Sequence, residues 1–348
     1  MAPQDSDIPP FPSDIPTADI PTISYHDLLS FSPPALQAML SATQGVGFFF
    51  LSHHPIDSDF MFDLADALFR LPLPEKLQYD MGSHGRYFGY KHQGASVVDA
   101  SGTPDINEFY NIPKDDLLGV TPAASRLPQP APIEDHTPQL QQFMRDAHAV
   151  VMGILRALEQ GIGVPEGELL ALHRLEAQSG DQARVTHAPP VASGRIALGE
   201  HTDYGSVTVL FNRLGGLQAM DPETREWRYV RPVPGCALIN LGDALVQLLG
   251  RRVFSGLHRV MGPPGEQAKC SRHSVVYFAR PNGDVPLKSL MDEEDGKEAL
   301  TADEWIKQRA TMRLKANFKG QETIDKYRAM EHARARENDI APQVVSEA

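Results

Sequence analysis

Short apolar runs alternating with turn signals predict a mainly β chain with flanking helices, built on a jelly-roll core. Two observations carry this prediction. Between Ala183 and Arg280, strand-length runs such as Ser206 to Phe211, Cys236 to Leu241 and Val275 to Ala279 are separated by Gly215-Gly216, Pro234-Gly235 and Pro263-Pro264-Gly265, and many short strands between such turn signals make a sandwich or barrel. Upstream, from about Thr137 to Gly161, Leu140, Phe143, Met144, Ala147, Val150, Val151, Ile154 and Leu158 recur at steps of three and four, the apolar stripe of a long amphipathic scaffold helix.

Residues 1–19 hold Pro3, Pro9, Pro10, Pro12 and Pro16 with Asp5, Asp7 and Asp14, a composition that packs no core and predicts an extended or mobile arm. Pro21-Thr22-Ile23 reads as a strand, Pro34 to Thr43 as a helix opening on proline, and Gly45 to Leu51 as a strand-length apolar run. A helix over about Ser58 to Phe69 stops before Leu71-Pro72-Leu73-Pro74, where Pro74 starts a new helical turn. Thr301 with Glu304 forms a capping-box pattern ahead of Trp305 and Ile306. The chain thus divides, within one compact unit, into an arm (1–19), an amino-terminal α/β region (20–120), a linker and scaffold helix (121–182), the jelly-roll core (183–285) and carboxy-terminal helices (286–348).

Composition excludes several classes of function. The 348 residues carry 32 Lys and Arg against 45 Asp and Glu, a net charge of -13, which repels a phosphate backbone or an anionic bilayer on average. Neither nucleic acid nor membrane is an expected partner. No Lys or Arg precedes Arg70, whereas export signals need early positive charge. The two cysteines, Cys236 and Cys270, form no disulfide framework, so a cytoplasmic location is expected.

Chemistry is carried by spacing. His201-Thr202-Asp203 precedes a strand-like run, and strand period two puts both side chains on one face, able to reach one ion. His258 begins another strand-like segment 55 residues beyond Asp203. Two histidines and a carboxylate make the facial triad that leaves open positions on non-haem Fe(II). Arg272-His273-Ser274 follows on the next strand, where a guanidinium fork and a hydroxyl two residues on face one side and suit the end of an acid.

These motifs, in this order, resemble the isopenicillin N synthase-like branch of the Fe(II)/2-oxoglutarate-dependent dioxygenases. The resemblance runs from Ile20 to about Lys315. It rests on Ile20-Pro21-Thr22-Ile23, Gly47-Phe48-Phe49 and Leu73-Pro74-Glu75-Lys76, then on 199–205 (Gly-Glu-His-Thr-Asp-Tyr-Gly), Gly215-Gly216-Leu217-Gln218, Asn240-Leu241-Gly242-Asp243-Ala244, His258-Arg259-Val260 and Arg272-His273-Ser274. It implies a double-stranded β-helix with Fe(II) on His201, Asp203 and His258, and 2-oxoglutarate held at its distal carboxylate by Arg272 and Ser274. It further implies that O2 and 2-oxoglutarate are consumed while a small organic substrate, in the setting of secondary metabolism, is hydroxylated, desaturated or cyclised. Two other readings use the same residues: an Fe(II) oxidase that needs no 2-oxoglutarate, and a non-catalytic jelly-roll binding protein.

One position departs from the family pattern. Many relatives place a tyrosine directly before the paired prolines, and Thr186-His187-Ala188-Pro189-Pro190 has Ala188 there. Arg86, Tyr87, Tyr90 and Phe109 lie in the stretch that approaches the barrel mouth in the family, and His187 lies close to the prolines; these are the candidate substrate residues. Asp243 reads as a turn cap, Gly215-Gly216 as a turn, and adjacent His53 and His54 as residues on opposite strand faces that ligate nothing. Nine basic against four acidic residues between Ile306 and Glu337 give the carboxy-terminal helices a basic face, either solvated or a lid or dimer contact.

Overall fold

The computed structural model describes residues 8–82, 87–292, 299–310, 312, 314 and 317–329. Twelve strands form two sheets among them: β1 (Thr22–Ser24), β2 (Phe48–Ser52), β3 (Gly89–Lys91), β4 (Glu108–Pro113), β5 (Gln182–Ala188), β6 (Ile196–His201), β7 (Val207–Asn212), β8 (Leu217–Met220), β9 (Trp227–Tyr229), β10 (Ala237–Leu241), β11 (His258–Met261) and β12 (Arg272–Ala279). The larger sheet runs β1-β2-β10-β7-β12-β5-β4-β3 and the smaller β6-β11-β8-β9. Every pairing is antiparallel except β1 with β2.

The pleat sorts side chains by parity. Along β5, β7 and β12, Ala183 and Val185, Val207, Val209 and Phe211, and Val275, Tyr277 and Ala279 join the main apolar core. The residues between them, Arg184 and Thr186, Thr208 and Leu210, Ser274, Val276 and Phe278, line a cavity between the sheets. Successive residues of a strand point to opposite faces, so one run serves both layers. In β2 the same rule sends Phe49 and Leu51 to the main core and Phe48 and Phe50 to a second cluster with Leu217, Ala219 and Leu238 between the sheets.

Helices cover the outer face of the larger sheet. They are α1 (Pro33–Gln44), α2 (Asp59–Arg70) and α3 (Thr137–Ile162), with α3 packed against β7 and β12 through the predicted stripe. Near the chain's end lie α4 (Asp243–Leu248), α5 (Ala302–Ala310) and α6 (Gln321–Ala329). The predicted capping box forms at α5, where Glu304 N donates to Thr301 Oγ1 at 3.3 Å and Thr301 N to Glu304 Oε2 at 2.9 Å. No helix among the described residues is long and apolar enough to cross a membrane.

Residues 8–19, read as an extended or mobile arm, run along the smaller sheet: Thr17 bridges Tyr229, Ala18 N donates to Tyr229 O at 2.9 Å, and the Phe11 ring meets that of Tyr229 edge-on. Prolines with no donor of their own still offer carbonyls, and Pro16 O and Pro9 O accept from Tyr229 N and the Gln267 side chain. The amino-terminal strands β1 to β4 belong to the larger sheet itself.

On β4, Glu108 is nearly buried and its carboxylate is triply bonded: His187 Nδ1 lies at 2.8 Å, Lys76 Nζ at 2.7 Å and the Tyr90 hydroxyl at 2.5 Å. Burial pushes its pKa up, but the hydrogen bonds from His187, Lys76 and Tyr90 outweigh that and hold it at about 2, below the ordinary 4.5. The folded carboxylate therefore protonates after the unfolded one as pH falls. The cluster's contribution is full above pH 4.5 and is lost as pH drops toward 2, with a size of about 3 kcal/mol. Urea unfolding of wild type and Glu108→Gln should show a gap of that order at pH 7 that narrows steadily below pH 4.5; a gap independent of pH would contradict the assignment.

Candidate active site

The metal site is built where the smaller sheet faces the larger. His201 ends β6, His258 begins β11, and the two are paired directly in the ladder, which brings their ring centroids to 4.2 Å. Asp203 lies in the turn after β6, with Oδ1 at 4.0 Å from the Nε2 atoms of both histidines. Ligand atoms of His201, Asp203 and His258 all fall within 4.8 Å of one another, the one such group found among the described residues.

Each ligand is oriented by a partner. His201 Nδ1 donates to Gly199 O at 2.9 Å and His258 Nδ1 to Gly256 O at 2.8 Å, so the proton sits on Nδ1 and the Nε2 lone pair points at the metal position. Asp203 Oδ2 accepts from Thr208 Oγ1 at 2.6 Å and Asn240 Nδ2 at 2.7 Å, which turns Oδ1 inward. Burial raises the pKa of Asp203, but His258, His201 and these two hydrogen bonds outweigh it and keep the carboxyl below its usual range. A carboxylate oxygen and two imidazole nitrogens on one side are the donor set of non-haem iron.

The cavity beside the triad encloses about 140 Å³. At one end of its β12 wall stands Arg272, buried, with Nε donating to Gly215 O at 2.8 Å, and burial lowers its pKa to about 10. The turn that supplies this acceptor needs its glycine: Gly216 has φ +107°, and a Cβ there would stand 2.6 Å from Met261 O. Ser274 follows on the same face, and Ala188 pairs with Arg272 across β5. Thr186, opposite Ser274, brings a hydroxyl to the same cavity wall one pleat back from Ala188.

Two pleats back along β5 from Ala188 is a second guanidinium. Arg184 is flanked by the rings of Phe109 at 4.1 Å and Phe278 at 4.9 Å, and its Nε donates to Asn111 Oδ1 at 2.7 Å. Burial lowers its pKa to about 10, against the pull of Tyr204 and Asp203. Motif reading missed Arg184, Tyr204, Phe278 and Arg280, all of which line the cavity. The signal was present in the period of β5, which puts residues 184, 186 and 188 on one face.

The sequence-derived substrate candidates divide. Phe109 lines the cavity. His187 and Tyr90 do not: they face the opposite side of the sheet and bond Glu108, and His187 stacks on His273 at 5.0 Å. Tyr87 packs its ring beneath Arg280, outside the cavity lining. Arg86 lies outside the described residues. Asp243 is more than a turn cap, because it opens α4 fully buried and its Oδ2 accepts from Thr202 Oγ1 and pairs with Arg309.

Comparison with known proteins agrees with this geometry. Residues 15–132 match the family model described as the N-terminal region of non-haem dioxygenase in morphine synthesis, and residues 179–281 match that of the 2OG-Fe(II) oxygenase superfamily. A 2-oxoglutarate-dependent dioxygenase of Aspergillus fumigatus is 31% identical over 82% of this chain and 81% of its own length. Another, from Aspergillus rugulosus, is 29% identical over 78% and 84%. The crystal structure of a full-length Neurospora crassa protein in complex with alpha-KG superposes with a TM-score of 0.72 at 26% identity, covering 84% of this chain and 96% of the Neurospora chain. With its His-Asp-His triad and jelly roll in place, this chain belongs to the Fe(II)- and 2-oxoglutarate-dependent dioxygenases.

Proposed function

We propose that His201, Asp203 and His258 hold the iron, that Arg272 and Ser274 grip the distal carboxylate of 2-oxoglutarate, and that the substrate is a small, flat organic molecule bearing a carbonyl or carboxylate. The observation that carries the substrate class is a second arginine on the cavity wall, set apart from the first. On β5 and its partner strand, the backbones of Arg184 and Arg272 are four residues apart in register, about 13 Å at the rise of a strand. With Arg272 assigned to the cosubstrate, Arg184 is assigned to the other ligand. Its flanking rings, Phe109 and Phe278, favour a planar group, and its remaining donors favour an acceptor edge. The thymine named in another complex of the Neurospora crassa protein is such a molecule, flat and edged by carbonyls.

Iron, when bound, supplies the coupling of 2-oxoglutarate decarboxylation to oxidation of the substrate carbon. This chain's residues position the partners. Thr208 and Asn240 fix the Asp203 carboxylate, Arg272 sets the cosubstrate's depth, and Phe48, Leu198, Leu210, Leu217 and Val260 keep the cavity wall apolar.

Succinate release and product mass should be measured together across a panel of flat carboxylates and nucleobases. Activity should need both Fe(II) and 2-oxoglutarate, and product without 2-oxoglutarate would favour the oxidase reading. His201→Ala and Asp203→Ala should lose turnover, and full activity of either would show the triad misassigned. Arg272→Ala removes one side of a desolvated ion pair worth roughly 3 to 5 kcal/mol and should raise the 2-oxoglutarate KM about a hundredfold or more. Arg184→Ala should instead raise the substrate KM and leave the 2-oxoglutarate KM within a few-fold; an equal rise in both would sink the two-ligand assignment.

A further inference from the structure

Two of the three metal ligands sit in residues 200–204, and three side chains of the carboxy-terminal helices reach the residues around them. Arg309, buried on α5, pairs with Asp243. Asp243 in turn accepts from Thr202 Oγ1 at 2.8 Å, and its backbone N donates to Asp203 O at 2.8 Å. Trp305 Nε1, one turn earlier on α5, donates to Tyr204 O at 2.9 Å. On α6, Arg328 bonds Glu200 Oε1 at 2.7 Å. Of the residues that flank His201 and Asp203, 200 and 204 are therefore tethered directly to helices more than a hundred residues later, and 202 indirectly, through Asp243 to Arg309.

We infer that these helices set the metal affinity of the site, with Arg309 and Trp305 as positioning residues that hold the 200–204 turn in its ligand-presenting shape. Neither residue lines the cavity. The inference rests on the metal assignment proposed above. Its physical basis is that the Asp203 carboxylate is already fixed by Thr208 and Asn240, so the distance from Oδ1 to the two histidines depends on where the backbone of the turn is held. Asp243 meets the turn at Thr202 Oγ1 and at Asp203 O, and Arg309 pairs with its carboxylate from α5. The Trp305 ring lies against the Arg309 guanidinium at 4.3 Å, so the two tethers stand as one unit. Outer partners of metal ligands typically change metal affinity about 10- to 100-fold when removed.

The test is Mn(II) binding to the full-length apoprotein without 2-oxoglutarate, read by the electron paramagnetic resonance signal of free Mn(II). Thermal melts by circular dichroism run alongside to show which variants are folded. Trp305→Phe keeps the ring and loses one hydrogen bond, and should weaken Mn(II) about tenfold. Arg309→Ala should weaken it by about ten- to a hundredfold, with Arg309→Lys recovering part of the loss by restoring the charge. At saturating metal the 2-oxoglutarate KM of Trp305→Phe should match wild type, because Arg272 and Ser274 belong to the other sheet. Folded Trp305→Phe and Arg309→Lys proteins that bind Mn(II) as tightly as wild type would overturn the inference, and if Arg309→Ala does not fold, Trp305→Phe decides it alone. His201→Ala separates the tether from the site it supports: loss of Mn(II) binding there with no loss in Trp305→Phe refutes the tether alone, whereas tight binding by His201→Ala refutes the metal assignment beneath it.

Discussion

The two-residue period of the larger sheet is the constraint on which the rest depends. Every strand of its centre must satisfy a helix layer on one side and a reaction chamber on the other, and parity decides which residue goes where. Val275, Tyr277 and Ala279 are packed against helices, while Ser274, Val276 and Phe278 face the cavity. A one-residue slip of β12 would put arginine into the apolar core and valine beside the cosubstrate. The strand is held against such a slip from both sides, by β5 over seven pairs of residues and by β7 over six. The precision of the site is thus inherited from the two ladders that fix the register of this strand.

The smaller sheet works differently. It has only four strands, and its pairing of β6 with β11 is irregular past His258. The ladder ends at His201 and His258, directly opposed, and beyond it the chain turns so that Asp203 completes a triangle with them. The backbone of that turn receives outside support from Asp243, Ser255 and Trp305. Gly242 and Gly205 make the approach possible, because a Cβ on Gly242 would stand 2.3 Å from Gly205 O.

Much of this is legible in the sequence. His201, Asp203 and His258 are readable because a metal triad needs fixed residue types at positions that a strand period can check, and Arg272 with Ser274 follows the same rule. The long stripe of α3 and the capping box at Thr301 are readable because each is a local pattern. What escapes is whatever depends on which strand lies next to which. His187 and Tyr90 lie near the right motifs, but both point to the outer face, where Glu108 takes them up. Arg184 looks like a lone basic residue in an apolar run, and only its register against Val276 shows that it shares a chamber with Arg272. The course of the proline-rich arm escapes too, because composition reports what a segment can bury by itself and is silent on an existing sheet that it can lie along.

The charges of the chamber bear on what enters it. Arg272 is buried and Arg184 partly so, and the hydration each gives up lowers the pKa of both guanidiniums. Neither has a carboxylate at hydrogen-bond distance among the described residues: Arg272 bonds a carbonyl, and Arg184 bonds Asn111. In the proposed assignment, iron is balanced by Asp203 and the chelating carboxylate of 2-oxoglutarate, and Arg272 by the distal one. That leaves Arg184 as a desolvated cation between two aromatic faces with no anion among the groups already accounted for. A cation in that condition is held ready by Phe109 and Phe278 rather than neutralised by them. Under the proposal, an acceptor on the substrate's polar edge would meet that cation, and binding energy concentrated there would set which carbon is turned toward the metal.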